Sequence, residues 1–266
     1  SSDWSSDVCS SDLFFPDTSS HGYQVVLGQK FYMCFFPTTF EYQNKVIPDK
    51  VFTTGKKNIN TVKEFAPEYP VDVAPAFRYN HIWQQPKFKP DNNITTIFIA
   101  LSGILKDCIN IISLVNESNI EHFKNTRIWV KPHPSIPVSY IEKRLNYKLS
   151  DSYKQVSGHF SEFVERSNIV ISSNSTACME VIAKGTPMII VGDRRGITQN
   201  PIPETITSDI WTLCYTPGEL MKAIKLYMNQ TQEKRDEYIE IGKKIREDYF
   251  EPVTEEGVKK FLMLKQ

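Results

Sequence analysis

The sequence predicts an α/β protein whose larger part is a parallel sheet with helices on both faces. Three observations lead there. From about residue 93 onward, short β-branched runs alternate with helical patterns. Two of those runs, Arg127–Val130 and Asn168–Ser172, end in polar loops: Lys131-Pro132-His133-Pro134 and Ser172-Ser173-Asn174-Ser175-Thr176. Each loop lies just past the C-terminal end of a strand, where open α/β sheets bind their ligands.

The elements follow in order. The first thirteen residues repeat Ser-Ser-Asp three times without an amphipathic face. They resemble a translated adapter or assembly remnant; a native Ser/Asp tail is the alternative, and neither enters the fold. A remnant would imply that the native protein extends further N-terminally. Residues 14–85 form the expected remnant of an N-terminal α/β domain. Lys30–Phe36 fits a buried strand or an apolar helix end, which periodicity does not separate. Lys50–Thr54 reads as a strand ending at Gly55, Lys57–Phe65 as a helix stopped before Pro67, and Val71–Ala74 as a further strand. His21-Gly22 is a weak candidate for an acceptor-side loop. Residues 86–93 carry prolines and lysines with few packing residues, as a linker does.

Residues 94–266 are assigned to a second, Rossmann-like domain. Thr95–Leu101 is its first strand, followed by Ser102-Gly103 and a helix from Leu105 to Val115. Phe160–Arg166 and Thr176–Lys184 read as helices, and Pro187–Val191 and Ile210–Tyr215 as strands. Thr216-Pro217-Gly218-Glu219 opens a helix with an N-cap, a proline at N1 and a capping-box glutamate. Two amphipathic helices, about 232–248 and 254–264, close the chain.

Composition narrows the function. The 266 residues carry 31 basic and 31 acidic side chains, so the formal net charge is zero. Bulk nucleic-acid binding normally shows a basic surplus, and nucleic acid is excluded as a partner. The apolar stretches are too short to span a membrane. Five cysteines have no CxxC or zinc spacing, and Cys108 and Cys178 fall in apolar helical patterns as buried thiols. This fits a cytoplasmic protein. No metal or cofactor is expected, and no HExxH, Walker or GxGxxG pattern occurs.

The two loops carry the chemistry. Hydroxyl and amide groups at a strand-to-helix junction cap free N–H groups and suit an anion such as a diphosphate. Ser172, Ser173, Asn174, Ser175 and Thr176 are therefore candidate ligand contacts, with capping as the simpler role for some. Glu180, one turn on, is placed to reach a ribose hydroxyl or to be a solvated helix glutamate. Prolines hold Lys131 and His133 in an extended loop, where His133 can donate to a phosphate or act as an acid. Ser102 and Gly103 allow close backbone approach of a ligand. The arginines of Asp193-Arg194-Arg195-Gly196 suit either a phosphate or an exposed charged turn.

Together, Lys131-Pro-His-Pro, Val170-Ile-Ser-Ser-Asn-Ser-Thr176, Glu180 and Gly185-Thr-Pro187 resemble the donor-binding domain of GT-B glycosyltransferases. The nearest kinds are bacterial surface and capsular polysaccharide enzymes, polysialyltransferase-like or CDP-glycerol glycerophosphotransferase-like. Pro48–Gly55 and Ala74–Arg78 resemble the end of the N-terminal domain of that fold. The resemblance implies His133 as the HP-motif histidine, the Ser172–Ser175 segment as the Ser-Ser/Thr loop, and Glu180 as the acidic residue of the following helix. It implies a nucleotide-activated sugar or polyol, cytidine-based, and a surface glycan acceptor, with peripheral association at the inner face of the membrane. The general base would lie in an N-terminal domain largely missing here. A sugar-nucleotide epimerase of the same architecture and a noncatalytic truncated nucleotide-binding module are the alternatives.

Overall fold

The computed structural model describes residues 19–24, 36–91, 93–195 and 198–264. Lys30–Phe35, the Ser/Asp-rich start and Gly196 lie outside the described residues. The chain divides into two compact units, one made of residues 1–84 and 245–266 and the other of 85–244.

The first unit holds a three-stranded parallel sheet in the order β1-β2-β3, with β1 His21–Tyr23, β2 Lys50–Thr53 and β3 Val71–Val73. His21-Gly22 is strand and not loop: both residues pair with β2, and the His21 ring packs edge-on against Phe52. Helix α1 (Thr39–Gln43) starts at a Thr38/Glu41 capping box, and α2 (Lys56–Phe65) connects β2 to β3. Phe36, Val51, Val62, Ala66 and Tyr69 form its core.

This unit also takes up the end of the chain, which the sequence reading gave to the second domain. The reason is close backbone packing. A Cβ added to Gly55 would lie within 2.5 Å of the Tyr249 backbone, so only glycine admits the approach. The Glu251 N–H donates to the Thr54 carbonyl at 2.6 Å, and the Ala76 N–H to the Glu251 carbonyl at 2.8 Å. Phe261 then packs against Tyr23, Phe52 and Phe77.

The second unit carries a six-stranded, wholly parallel sheet. Its strands are β4 (Thr95–Ala100), β5 (Thr126–Lys131), β6 (Tyr153–Gln155), β7 (Ile169–Ser172), β8 (Met188–Val191) and β9 (Trp211–Cys214). The order is β6-β5-β4-β7-β8-β9. The chain starts in the middle, winds outward to β6, then crosses back and winds to β9, which is the doubly wound arrangement with its reversal between β4 and β7. Ile97, Ile99, Val170, Ile171, Ile189 and Ile190 are wholly buried, as strands covered on both faces require.

Helices accompany the strands: α3 (Leu105–Glu117), α4 (Val138–Leu145), α5 (Phe160–Glu165), α6 (Ala177–Ala183), α7 (Pro217–Met228) and α8 (Gln232–Tyr249), while α9 (Glu255–Phe261) belongs to the first unit. The capping box expected at Thr216/Glu219 opens α7, with Pro217 at its first position. Helix α3 packs on α4 and α7, while α5 lays Phe160 and Phe163 on Phe98 and Phe163 on Trp129. Gly185 ends α6 at φ +78°, a conformation that glycine takes without cost, and its Cα leaves no room for a side chain beside Ile239. The Cys108 and Cys178 thiols are buried and free, as expected. No helix among the described residues is long and apolar enough to cross a membrane.

Candidate functional site

Strand pairing sets the two polar loops on either side of β4. Lys131, the last residue of β5, is in register with Ala100, and Ile99 is in register with Ile171, one residue before Ser172. The loops after β4, β5 and β7 therefore leave the same edge of the sheet, at the reversal of strand order. Crevices outside the carboxyl ends of strands at that point are where such sheets bind ligands.

The loop after β5 meets the loop after β4 directly. A Cβ built on Gly103 would lie 3.4 Å from Cε1 and Nε2 of the exposed His133 ring. His133 Nδ1 lies 2.6 Å from the Ser135 hydroxyl and accepts the Ser135 backbone N–H at 3.3 Å. That backbone donor makes Nδ1 an acceptor, so in the neutral ring the proton sits on Nε2. Lys131 is half-buried and forms no ion pair among the described residues.

The five polar residues after β7 divide into distinct roles. Ser172 is buried and its hydroxyl donates to the Ala100 carbonyl at 2.7 Å, which ties β7 to β4 instead of facing a ligand. Ser173, also buried, donates to Asp107 Oδ2 at 3.3 Å. Asn174 Nδ2 donates to Gln199 Oε1 at 2.8 Å. Ser175 Oγ accepts the Ala177 N–H at 3.3 Å, while Thr176, in the N-cap position of α6, makes no side-chain cap bond. Glu180 is half-buried in the first turn of this seven-residue helix. Of the loop after β4, Ser102 is buried and its hydroxyl accepts the Ile104 N–H at 3.2 Å.

Both loops are anchored by a thiol. Cys108 Sγ donates to the Ser102 carbonyl at 3.1 Å, and Cys178 Sγ to the Ser173 carbonyl at 3.3 Å. Burial pushes these thiols up to about 11 and about 12, so they remain protonated donors at neutral pH.

The structure adds residues that motif reading did not single out. Asp107, in the first turn of α3, stands between the loops after β4 and β7. Burial raises its carboxyl above the usual range, against opposing hydrogen bonds from Ser173 and Ser102 and the charge of Lys106, while Asp193 adds to the rise. Asp193, past β8, is held well below the usual carboxylate range by Arg195 and Lys106. Lys106 pairs with Asp193, Arg195 with Asp193 at 3.3 Å, and Arg194 with Glu117. Both arginines of that turn are thus matched to carboxylates of this chain. The only local signal for Asp107 was an acidic residue in the first turn after a Ser-Gly loop, a common helix-start feature. Among the described residues, no three His, Cys, Asp or Glu side chains group as metal ligands would.

A doubly wound parallel sheet with polar loops at its reversal defines a Rossmann-like α/β fold. Its fold is similar to that of MnaA from S. aureus solved with UDP, with a TM-score of 0.58 and 16% identity over 95% of this chain and 70% of that one. The UDP-GlcNAc 2-epimerase of Methanocaldococcus jannaschii, in complex with UDP-GlcNAc and UDP, gives a TM-score of 0.52 and 15% identity over 74% of this chain and 61% of that one. The trehalose-6-phosphate synthase OtsA gives 0.51 and 10% identity over 95% and 68%. The chain spans only 55% of a further similar structure, from Listeria monocytogenes. No protein-family profile and no curated protein matches the sequence.

Proposed function

We propose that the second unit binds a nucleoside-diphosphate-activated sugar or polyol, and that the protein transfers this group to a surface glycan. The observation that carries the reading is the convergence of Gly103, His133, Ser173 and Asp107 at the reversal of strand order. The acceptor hydroxyl would form the new bond to the transferred group as the bond to the leaving nucleotide phosphate breaks. Charge developing on that phosphate would be met by His133 Nε2–H and by backbone N–H groups of the 173–176 turn, an electrostatic role. Lys131 would add positive charge, and Glu180 would hold a ribose hydroxyl. No metal takes part in this scheme, and the base that deprotonates the acceptor is assigned to no residue of this chain. The reaction would run in the cytoplasm, at the inner face of the membrane.

A second reading is a sugar-nucleotide epimerase, favoured by the likeness to the UDP-GlcNAc 2-epimerase of M. jannaschii. Both readings use the same nucleotide crevice and differ in product. A thermal-shift panel of CMP, CDP, UDP and GDP tests the shared part. Ligand at about a hundred times its dissociation constant stabilises the native state by about 2.7 kcal/mol, and His133→Ala should abolish most of that shift while leaving the unliganded midpoint unchanged. Silence across the panel would overturn both readings. Incubation with UDP-GlcNAc then separates them, since only an epimerase yields the 2-epimer without an acceptor.

A further inference from the structure

The loops at the strand reversal differ in hydrogen-bonding character, and the difference bears on how a ligand would lie against them. On the β5 side, both contacts to His133 Nδ1 come from Ser135, and the backbone one makes that nitrogen an acceptor. The neutral ring therefore offers a donor, Nε2–H, beside Gly103. Beside the loop after β7, bonded to Ser173, stands Asp107. A carboxylate only accepts, with room for about four hydrogen bonds. Ser173 supplies one at 3.3 Å. Asp107 is only half-buried, beside the loops after β4 and β7, so acceptor sites remain accessible to a ligand there.

A diphosphate cannot occupy the Asp107 side. Its oxygens also only accept, and two anions at contact distance in a half-buried setting repel. The neighbouring cations relieve this only in part: Lys106 acts on Asp107, but its ammonium and the Arg195 guanidinium both pair with Asp193. What Asp107 can take is a group that donates, such as the hydroxyl of a sugar or polyol. We propose that Asp107 is a specificity-determining residue that accepts a hydrogen bond from a hydroxyl of the transferred group, leaving the diphosphate against His133. This deepens the nucleotide-donor reading and rests on it.

The two fail differently. Titration calorimetry of the full chain with UDP, UDP-GlcNAc, CDP and CDP-glycerol, in wild type and Asp107→Asn, separates them. Asparagine keeps the shape and an oxygen for Ser173 but loses the charge. Hydrogen bonds to a charged partner are among the stronger ones. The variant should therefore bind the conjugate about tenfold or more weakly, while the parent diphosphate binds within about twofold of wild type, or more tightly. Asp107→Ala should reproduce the split. Equal loss for conjugate and parent would place the contact on the nucleotide or make Asp107 merely structural, and no loss for either would remove it from the site. Each result overturns the proposal alone. Failure of the wild type to bind any of the four would sink the nucleotide reading, and the proposal with it.

Discussion

Ser172 separates a ligand-binding hydroxyl from a structural one. Motif reading groups it with Ser173 and Ser175, yet its hydroxyl is buried and donates to the Ala100 carbonyl at 2.7 Å. Ser172→Ala removes that bond and leaves a buried carbonyl short of a donor at the junction of β4 and β7. A buried hydrogen bond contributes about 1 kcal/mol net, and an orphaned buried partner adds to the loss, so the variant should lose about 1–2 kcal/mol. For a domain of this size each kcal/mol lowers the midpoint by about 2–4 °C, which gives a fall of about 2–8 °C. Thermal unfolding followed by circular dichroism measures the midpoint, and calorimetry with the best nucleotide of the panel measures affinity. The affinity should stay within about twofold of wild type, because the hydroxyl is already engaged. An unchanged midpoint together with a tenfold loss of affinity would refute the reasoning and return Ser172 to the ligand.

Two further outcomes follow from the titratable groups of the same edge. Burial raises the Asp107 carboxyl, so the native state holds its proton to higher pH than the unfolded chain does, and its contribution to stability declines as pH rises through the carboxylate range. Asp107→Asn should therefore match wild type near about pH 3 and unfold at a higher temperature near about pH 7; a lower midpoint near neutrality would contradict this. Cys108, Cys178 and Cys214 are buried, with thiols pushed up to about 11, 12 and 12. Iodoacetamide should leave all three unmodified in the native protein at about pH 8 and label them in denaturant. Peptide mass mapping reads this, and rapid native labelling of Cys108 or Cys178 would contradict the thiol anchoring of the two loops.

What local pattern reveals in this chain is set by length and burial. β4, β7 and β8 each carry an unbroken buried apolar run, Ile97–Ala100, Ile169–Ile171 and Met188–Val191, which shows in the sequence. β1 and β6 have only three residues, and β6 lies at the sheet edge with Lys154 and Gln155 exposed, so no period has room to appear. Helix α4 follows Pro137 and buries only Val138 and Ile141, too thin a stripe to stand out. The site was legible as a pair of loops because turn chemistry is local. Which hydroxyl faces the sheet was not, since the Ser172–Ala100 and Ser173–Asp107 bonds join residues 72 and 66 positions apart. Asp107 was hidden for the same reason.

The return of the chain end to the first unit has a consequence for biosynthesis. Residues 85–244 form an unbroken stretch that can fold as it emerges, whereas Gly55, Thr54 and Ala76 await Tyr249 and Glu251. Translation proceeds at about 5–20 residues per second, so the N-terminal strands wait roughly 9–35 s for their partners. During that interval the faces of Tyr23, Phe52 and Phe77 that Phe261 covers stay open to chaperones and to neighbouring chains. The unit made first is completed last.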